Sequence, residues 1–506
     1  MTFGFTRRDV TKTGFGALMM AFAGQALGEA AIPGRFGPPQ RFSWDDLVKQ
    51  AQLRARKPYV RQLATHTVPD FDAHARLSYE PAEVVAGRLR LFPAKGDTAP
   101  DRVNIHVVEG GMAGQIIDTH GLFGGGQSAD VAGFRVLESK GGGDWLASLG
   151  ASYFRAVGPS GQYGLSARAI AVDTAMPGPE EFPAFTDFWI EQKGEDHLLI
   201  HAMVDGPSLS GVYAFDITRS SAGVEQAIRA SLFLRRDIRR LGLAPITTMF
   251  DFDQAARSSL GPNHGDWRPE VHDSDGLAIH SGNGERIWRP LDNPPGPRVH
   301  MLRADGVKGF GMIQRDTAFD HYQDDLNFYN RRPSLWVEPQ GDWGPGAVML
   351  YEMNTISENV DNMAAMWVSD RPARAGDRRD FAYRLRWGQG DPMRDGNAIC
   401  VNYFMGPGGV PGGNPIAGAT RYVFDFAGPA LRGLTRDSKV EAVTDLGAAL
   451  IMANAFPVEG QSDLWRVMMD VRVEGLKQNE FRLFLRRGPE ASSGALSETV
   501  IKTVRP

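Results

Sequence analysis

Apolar residues in this chain recur at every second position, in runs scattered from one end to the other. Val103, Ile105 and Val107 alternate with Arg102, Asn104 and His106. Phe381, Tyr383, Leu385 and Trp387 alternate with Arg384 and Arg386, and Trp465, Val467, Met469, Val471 and Val473 with Arg466, Asp470 and Arg472. Successive side chains of a strand point to opposite faces, so each run has one apolar and one wet face and must pair into a sheet that buries the first. Between the runs fall 59 glycines and 32 prolines with no Gly-X-Y period, which supplies turns and excludes both a collagen and a helical bundle. The expected class is all-β. No repeat of 20 to 50 residues is visible, which argues against propellers and solenoids, and 506 residues suffice for two large β domains.

Ser43 is placed to N-cap a helix carrying Leu47, Ala51 and Leu53 and ending before Pro58. The polar stretch from Ser369 to Arg379, with Pro372 and Gly376, reads as a linker. It divides the chain into a first domain over 32–375 and a second over 376–506, the latter of a size for an immunoglobulin-like sandwich interrupted by the glycine-rich loop Gly406 to Gly418.

Residues Thr6 to Lys12 read TRRDVTK, followed by an apolar stretch from Gly14 to Leu27 and the small residues Ala26, Gly28 and Ala30. That is the pattern of a twin-arginine (Tat) export signal cleaved near Gly28, so residues 1–28 are expected to be removed and the protein to work in the periplasm. Losing Arg7, Arg8, Lys12 and Asp9 takes the formal charge from -5 to -7, by -5 - 2. No later segment has 18 uninterrupted apolar residues, so no stable membrane insertion is expected. Outside the cytoplasm nucleotide donors are normally absent, which leaves hydrolysis, transglycosylation or binding. An acidic chain without a long Lys/Arg run lacks the electrostatic footprint for nucleic acid. The single Cys400 excludes an internal disulfide and a zinc site built on two thiolates.

Polar chemistry is concentrated in three clusters. HGDWRPEVHDSDG, His264 to Gly276, interleaves Asp266, Glu270, Asp273 and Asp275 with Trp267, Arg268 and His272. Crowded carboxylates shift one another's pKa values as acid/base work requires, although a polar loop of Asx-turns and arginine pairs has the same composition. An EF-hand loop fails on spacing, because the twelfth position from Asp273 is Gly284 where a bidentate Glu is needed. The second cluster, Arg315 to Trp343, contains Tyr329, Trp336 and Trp343, and Phe319, Tyr322, Leu326 and Tyr329 fall at the spacing of a short helix with one aromatic face inward. The third, Glu352 to Trp367, holds Glu358, Asp361, Asn362 and Trp367. Carboxylates among aromatic residues suit a sugar-cleaving cleft: pyranose faces stack on rings, hydroxyls pair with Asp and Arg, and glycosidic cleavage needs one acid and a second carboxylate to activate water. The glycines at Gly121 to Gly126 lack a following Lys-Ser/Thr, and neither HExxH nor G-x-S-x-G occurs. No metal or organic cofactor is implied.

LGASYFRAVG (Leu149 to Gly158), YGLSARAIAVDTA (Tyr163 to Ala175), EEFPAFTDFWIE (Glu180 to Glu191), RPEVHDSDGL (Arg268 to Leu277), GNGERIWRPL (Gly282 to Leu291) and RRPSLWVEPQGDWG (Arg331 to Gly344) resemble the OpgG/OpgD (MdoG/MdoD) family of periplasmic osmoregulated glucan biosynthesis proteins. The resemblance spans about residues 40 to 506, and the Arg7-Arg8 pair is similar to the OpgD side. It implies a large N-terminal β-sandwich with a long cleft, an immunoglobulin-like C-terminal domain and β-1,2-glucan as ligand. It further implies an inverting endo-β-1,2-glucanase with Asp361 of ENVDN as general acid, Asp273 of HDSDG as general base and Tyr329 as a proton relay. Asp275 is the rival base, two residues away and on the same face if the segment is a strand. Asp275, His272, Arg268, Trp336, Trp343, Trp367 and Glu358 are expected to bind substrate. A glucan-binding factor without catalysis, assisting the inner-membrane glucan synthase and using Trp336, Trp343 and Trp367 as stacking platforms, is the second reading. A transglycosylating or branching enzyme is the third.

Overall fold

Alternation drives the chain into two facing sheets. The computed structural model describes residues 34–504 except 69–70, 97, 127, 139–142, 258–265, 411, 477–478 and 489–493. The export signal expected over 1–28 lies outside the described residues. Among these, one sheet of ten strands runs in the order Arg298–Arg303, Gly346–Glu352, Met363–Ser369, Leu241–Thr248, Ser166–Arg168, Tyr153–Ala156, Asp144–Leu149, Val131–Leu137 and Leu89–Pro93, with Ile170–Val172 also paired to Leu241–Thr248. The other, of fifteen strands, has at its centre His197–Asp205, Leu209–Ser220, Gly223–Leu234, Arg378–Gly388, Ser334–Gln340 and Gly309–Ile313. Phe188, Phe215, Leu385 and Trp387 of the larger sheet meet Phe134, Phe154, Ile246 and Trp367 of the smaller in one core. The rings Phe134–Phe188 and Phe154–Phe215 meet edge-on at 5.0 and 5.2 Å, the arrangement their quadrupoles favour. Each such fully buried side chain stabilises the fold by about 1.5–3 kcal/mol.

The polar stretch 369–379 is a crossover within this sandwich. It links Met363–Ser369 of the small sheet to Arg378–Gly388 of the large one, and Arg378–Gly388 is paired on both sides, to Gly223–Leu234 and to Ser334–Gln340. The division expected at 375/376 therefore falls one strand early, and the chain leaves the first core after Gly388. Polarity marked a surface loop correctly, but a loop between two sheets of one domain is as polar as a linker.

The second sandwich has four strands, Ile399–Pro407, Ala419–Ala427, Leu464–Arg472 and Leu450–Pro457, packed over Val440–Thr444, Glu480–Arg487 and Thr499–Thr503. Four strands over three is the immunoglobulin-like arrangement. Its core is Tyr422, Phe424, Trp465, Val467, Met469, Phe481, Leu483 and Leu485, held by packing without a disulfide. Thr499–Thr503 pairs in parallel with Arg286–Pro290, so the two sandwiches share a continuous sheet.

Local expectations are met in part. Ser43 caps the helix Trp44–Ala55, which buries Leu47 and Ala51 while Leu53 is exposed. The aromatic stripe of the second cluster does not form one inward face. Its helix ends at Tyr322 because Gln323 turns left-handed (φ 54°), and Phe328 does so again (φ 51°), so Tyr322 and Tyr329 are buried while Phe319 and Leu326 face solvent. Gly124 lies against the helix Phe71–Tyr79, where a Cβ would stand 2.4 Å from the Arg76 carbonyl oxygen. The glycine run serves close packing of backbone on helix.

Candidate functional site

Asp361 lies two residues before the strand Met363–Ser369, which is paired on both sides, with Gly346–Glu352 and Leu241–Thr248. The side chain of its neighbour Asn362 is buried and pins the chain, accepting from the Phe250 N–H at 2.8 Å and donating to the carbonyls of Phe250 and Met353, both at 2.9 Å. Asp361 itself is half-buried and accepts from Thr247 Oγ1 at 3.0 Å. Tyr153 lies within electrostatic reach. Burial pushes its phenol pKa up, the charges of Glu180 and Asp361 add to the rise, and Arg168 opposes it.

The loop before Asp361 is shaped by Asn293, which donates to the Thr355 carbonyl at 2.7 Å, and by Thr355 Oγ1, which accepts from the Ser357 N–H at 3.0 Å. This presents Glu358 to Tyr329, whose hydroxyl donates to Glu358 Oε2 at 2.7 Å, and to Arg268, at 2.9 Å. Arg268 also binds Asp266 and Asp324, each at 2.6 Å. The guanidiniums of Arg268 and Arg332 lie 5.7 and 5.3 Å from the Tyr329 ring centroid. Arg332 Nε stands 3.5 Å from Asp273 Oδ1, and Asp273 is 0% exposed. Three successive residues at the end of the strand Leu241–Thr248 tie the two sequence-predicted carboxylates together: Thr247 holds Asp361, Thr248 Oγ1 lies 3.1 Å from Ser274 Oγ, and the Asp273 N–H donates to the carbonyl of Met249, just past the strand, at 2.9 Å. The structure thus brings Asp361, Asp273, Tyr329, Glu358 and Arg268 into one neighbourhood.

Beside it opens a cleft of about 470 Å³ lined by Asp266, Trp267, Arg268, Asp324, Leu326 and Glu358. Trp267 (68% exposed), Leu326 (83%) and, on the Glu358 loop, Ile356 (91%) stand in solvent.

Asp275 and His272 belong to a different cluster. Residues 273–275 form a bend after the two-residue strand Val271–His272, so the strand geometry that would have put Asp273 and Asp275 on one face is absent. Asp275 instead accepts from the backbone N–H groups of Arg315 and Asp316. His272 is fully buried, 2.9 Å from Glu270 and 3.8 Å from Asp275, which removes it from direct contact with a substrate. Glu270, His272 and Asp275 have ligand atoms within 4.8 Å of one another, as do Glu270, Asp316 and His321. Burial lowers the His272 pKa, but the hydrogen bond it donates to Glu270 and the charges of Asp275, Glu270 and Asp253 reverse it to about 9. At neutral pH the imidazole therefore carries the proton that a cation would have to displace.

That proton links to stability. The folded pKa lies above the ordinary 6.5, so the contribution is fully present below about pH 6.5 and lost as pH rises through about 9. Asp275, raised to about 6 chiefly by burial, completes its own change below this window. The urea midpoint is expected to fall between pH 6.5 and 9.5, and His272→Gln to flatten that fall. An unchanged slope in the variant would assign it to other groups.

The three tryptophans expected to line the site do not. Trp336 (1% exposed) lies under Gly309 and Gly311, where a Cβ would meet its ring at 2.3 and 2.8 Å, and Trp367 (0%) lies under Gly346 in the same way at 2.5 Å. The glycines make room for the indoles inside the sandwich. Trp343 is half-buried against Trp367 and Tyr383 and lines a separate cleft of about 650 Å³ with Leu241, Val368 and Arg371. The strand Met363–Ser369, seven residues or about 20 Å from its first to its last residue at ~3.3 Å each, separates Ser369 at that end from Asp361, which lies two residues before it. Neither Thr247, Arg332 nor Tyr153 was assigned a role beforehand. Tyr153 and Arg332 lie within family-like strings, Arg332 also within the second polar cluster, while Thr247 carries no local signal.

Fold and site together define a protein of two joined β-sandwiches with an acidic cleft at the rim of the larger. Residues 42–502 match the family described as "Periplasmic glucan biosynthesis protein, MdoG", and the chain belongs to that family. It is 38% identical to "Glucans biosynthesis protein D 2" of Ralstonia nicotianae, over 94% of this chain and 93% of that protein. It is 42% identical to the "Probable glucans biosynthesis protein D" of Shewanella oneidensis, over 73% and 70%. To "Glucans biosynthesis protein D" of Xanthomonas campestris pv. campestris it is 38% identical, over 92% and 90%.

Proposed function

We propose that this protein is an inverting endo-β-1,2-glucanase acting on periplasmic glucan, exported by the twin-arginine signal in residues 1–28. The observation that carries the reading is the placement of Asp361. It is half-exposed, oriented by Thr247 and Asn362, and ends a loop whose Glu358 closes the acidic cleft. A carboxylic acid so held is fit to protonate a leaving glycosidic oxygen.

Asp273 is buried behind Arg332, so as base it acts through a hydroxyl and does not touch the water itself. Tyr329 is the relay hydroxyl that the family resemblance implies: water attacks the anomeric carbon, its proton passes to the Tyr329 oxygen, and the phenolic proton, donated to Glu358 Oε2 in the resting protein, turns to Asp273 as its final acceptor. Arg268 and Arg332 hold the ring from its faces. A relay lets the carboxyls stand farther apart than the ~6.5–9.5 Å of direct inversion. The non-catalytic reading relied on Trp336, Trp343 and Trp367, and two of the three are inside the core.

Linear β-1,2-glucan incubated with the mature protein and followed by proton NMR should release internal oligosaccharides whose new reducing ends appear first as the α anomer. Intact chain length, or a β anomer first, overturns the assignment.

A further inference from the structure

We infer that Trp267 is the stacking platform of an outer sugar subsite, on the Arg268 side of Asp361, with Leu326 flanking it. This deepens the glucanase reading and rests on it for the identity of the polymer. Of the ten tryptophans in the chain, seven are buried, Trp44 and Trp343 are half-buried, and Trp267 alone is largely exposed, at 68%. A single exposed apolar side chain needs no explanation, but Trp267 shares one cleft with Leu326, which is also exposed, and an apolar patch in a polar-rimmed cleft marks a contact surface.

Its immediate surroundings specify the ligand. The floor of the 470 Å³ cleft is polar and acidic, with Asp266, Asp324 and Glu358 around the single guanidinium of Arg268. With Asp325 also in the lining, four carboxylates against one cation leave acceptor capacity for hydroxyl donors and repel anionic ligands. An exposed indole beside hydroxyl acceptors matches a pyranose, whose faces are C–H surfaces and whose rim carries the hydroxyls. Asp266 and Arg268 clamp each other across Trp267, with Arg268 N–H on Asp266 Oδ1 at 2.9 Å, which fixes the backbone that presents the indole. Glu358 belongs to both this cleft and the loop that leads to Asp361, so a chain seated on Trp267 continues toward the acid.

The platform should govern affinity for chains long enough to reach it. Trp267→Ala is expected to raise KM for long linear β-1,2-glucan on the order of tenfold with a much smaller change in kcat, and Trp267→Phe to recover most of the loss. Titrating the Asp361→Asn protein with the same glucan should shift tryptophan fluorescence, and the added Trp267→Ala substitution should abolish the shift. Hydrolysis with KM unchanged in Trp267→Ala removes the platform and leaves the hydrolase. Binding that depends on Trp267, with no hydrolysis by the parent, keeps the platform and removes the hydrolase. A fluorescence response that survives Trp267→Ala overturns the proposal.

Discussion

Asp361→Asn is expected to lower hydrolysis of linear β-1,2-glucan on the order of a thousandfold, within the range typical for removing a general acid or base, while glucan binding persists. Asparagine has the shape of aspartate, and its carbonyl oxygen still accepts from Thr247 Oγ1, so the local fold is retained. What disappears is the proton. The same substitution at Asp273 should be as damaging for a different reason: it removes the terminal acceptor of the relay, and it leaves Arg332, 3% exposed on its side chain, beside a neutral amide. Denaturation separates the two, since Asp273→Asn should cost stability and Asp361→Asn should not. Undiminished hydrolysis by Asp361→Asn would remove the acid from position 361.

How much of this was legible beforehand depends on range. The alternation at Trp465 to Val471 dictated one buried face and one wet one, and that strand has them, because the period of two is a property of consecutive residues. Arg268, Tyr329 and Glu358 were expected at one site from the resemblance, and they meet at the Glu358 carboxylate although Tyr329 and Glu358 are 29 residues apart. Tryptophan roles were not legible. Trp336 and Trp267 are both aromatic residues in polar neighbourhoods of the sequence, yet one fills the space over Gly309 and Gly311 and the other stands in solvent. The deciding partners lie on other strands, out of reach of any local pattern. The same holds for the second carboxylate pair: a bend at 273–275 sends Asp273 to Arg332 and Asp275 to the backbone of Arg315 and Asp316, and nothing in HDSDG announces the bend.

The junction between the sandwiches explains why the site tolerates a cleft at its rim. Asp253 and the Glu270 cluster lie against Tyr403 of the second sandwich, across a cavity of about 50 Å³. Arg315 crosses the same junction, binding Glu498 through both carboxylate oxygens at 2.6 and 2.9 Å while stacking 3.5 Å from the centroid of the Trp288 ring. The segment that carries Asp273 and Asp275 is thus braced from behind by the immunoglobulin-like sandwich, and the open face is left to the Arg268 cleft.

Lys502→Met is expected to destabilise the protein by about 3–5 kcal/mol, the usual cost of breaking a buried ion pair by removing one partner. Lys502 and Asp292 are 0% and 1% exposed on their side chains and 2.8 Å apart, and Lys502 also donates to Tyr403 Oη at 3.2 Å. Methionine fills nearly the same volume, so the loss is electrostatic: the Asp292 carboxylate stays in the interior without its cation. Lys502 sits on Thr499–Thr503, the strand that joins the second sandwich to the large sheet, and Asp292 follows Arg286–Pro290, the strand it pairs with. The damage is therefore expected at the junction, with urea unfolding splitting into two phases as the immunoglobulin-like sandwich melts ahead of the larger one. Replacing both partners, Lys502→Met with Asp292→Leu, should recover most of the loss, because no unpaired charge then remains inside. A single substitution within 1 kcal/mol of the parent, roughly the worth of an exposed pair, would mean that water reaches Asp292 and that the two sandwiches are not locked through this contact.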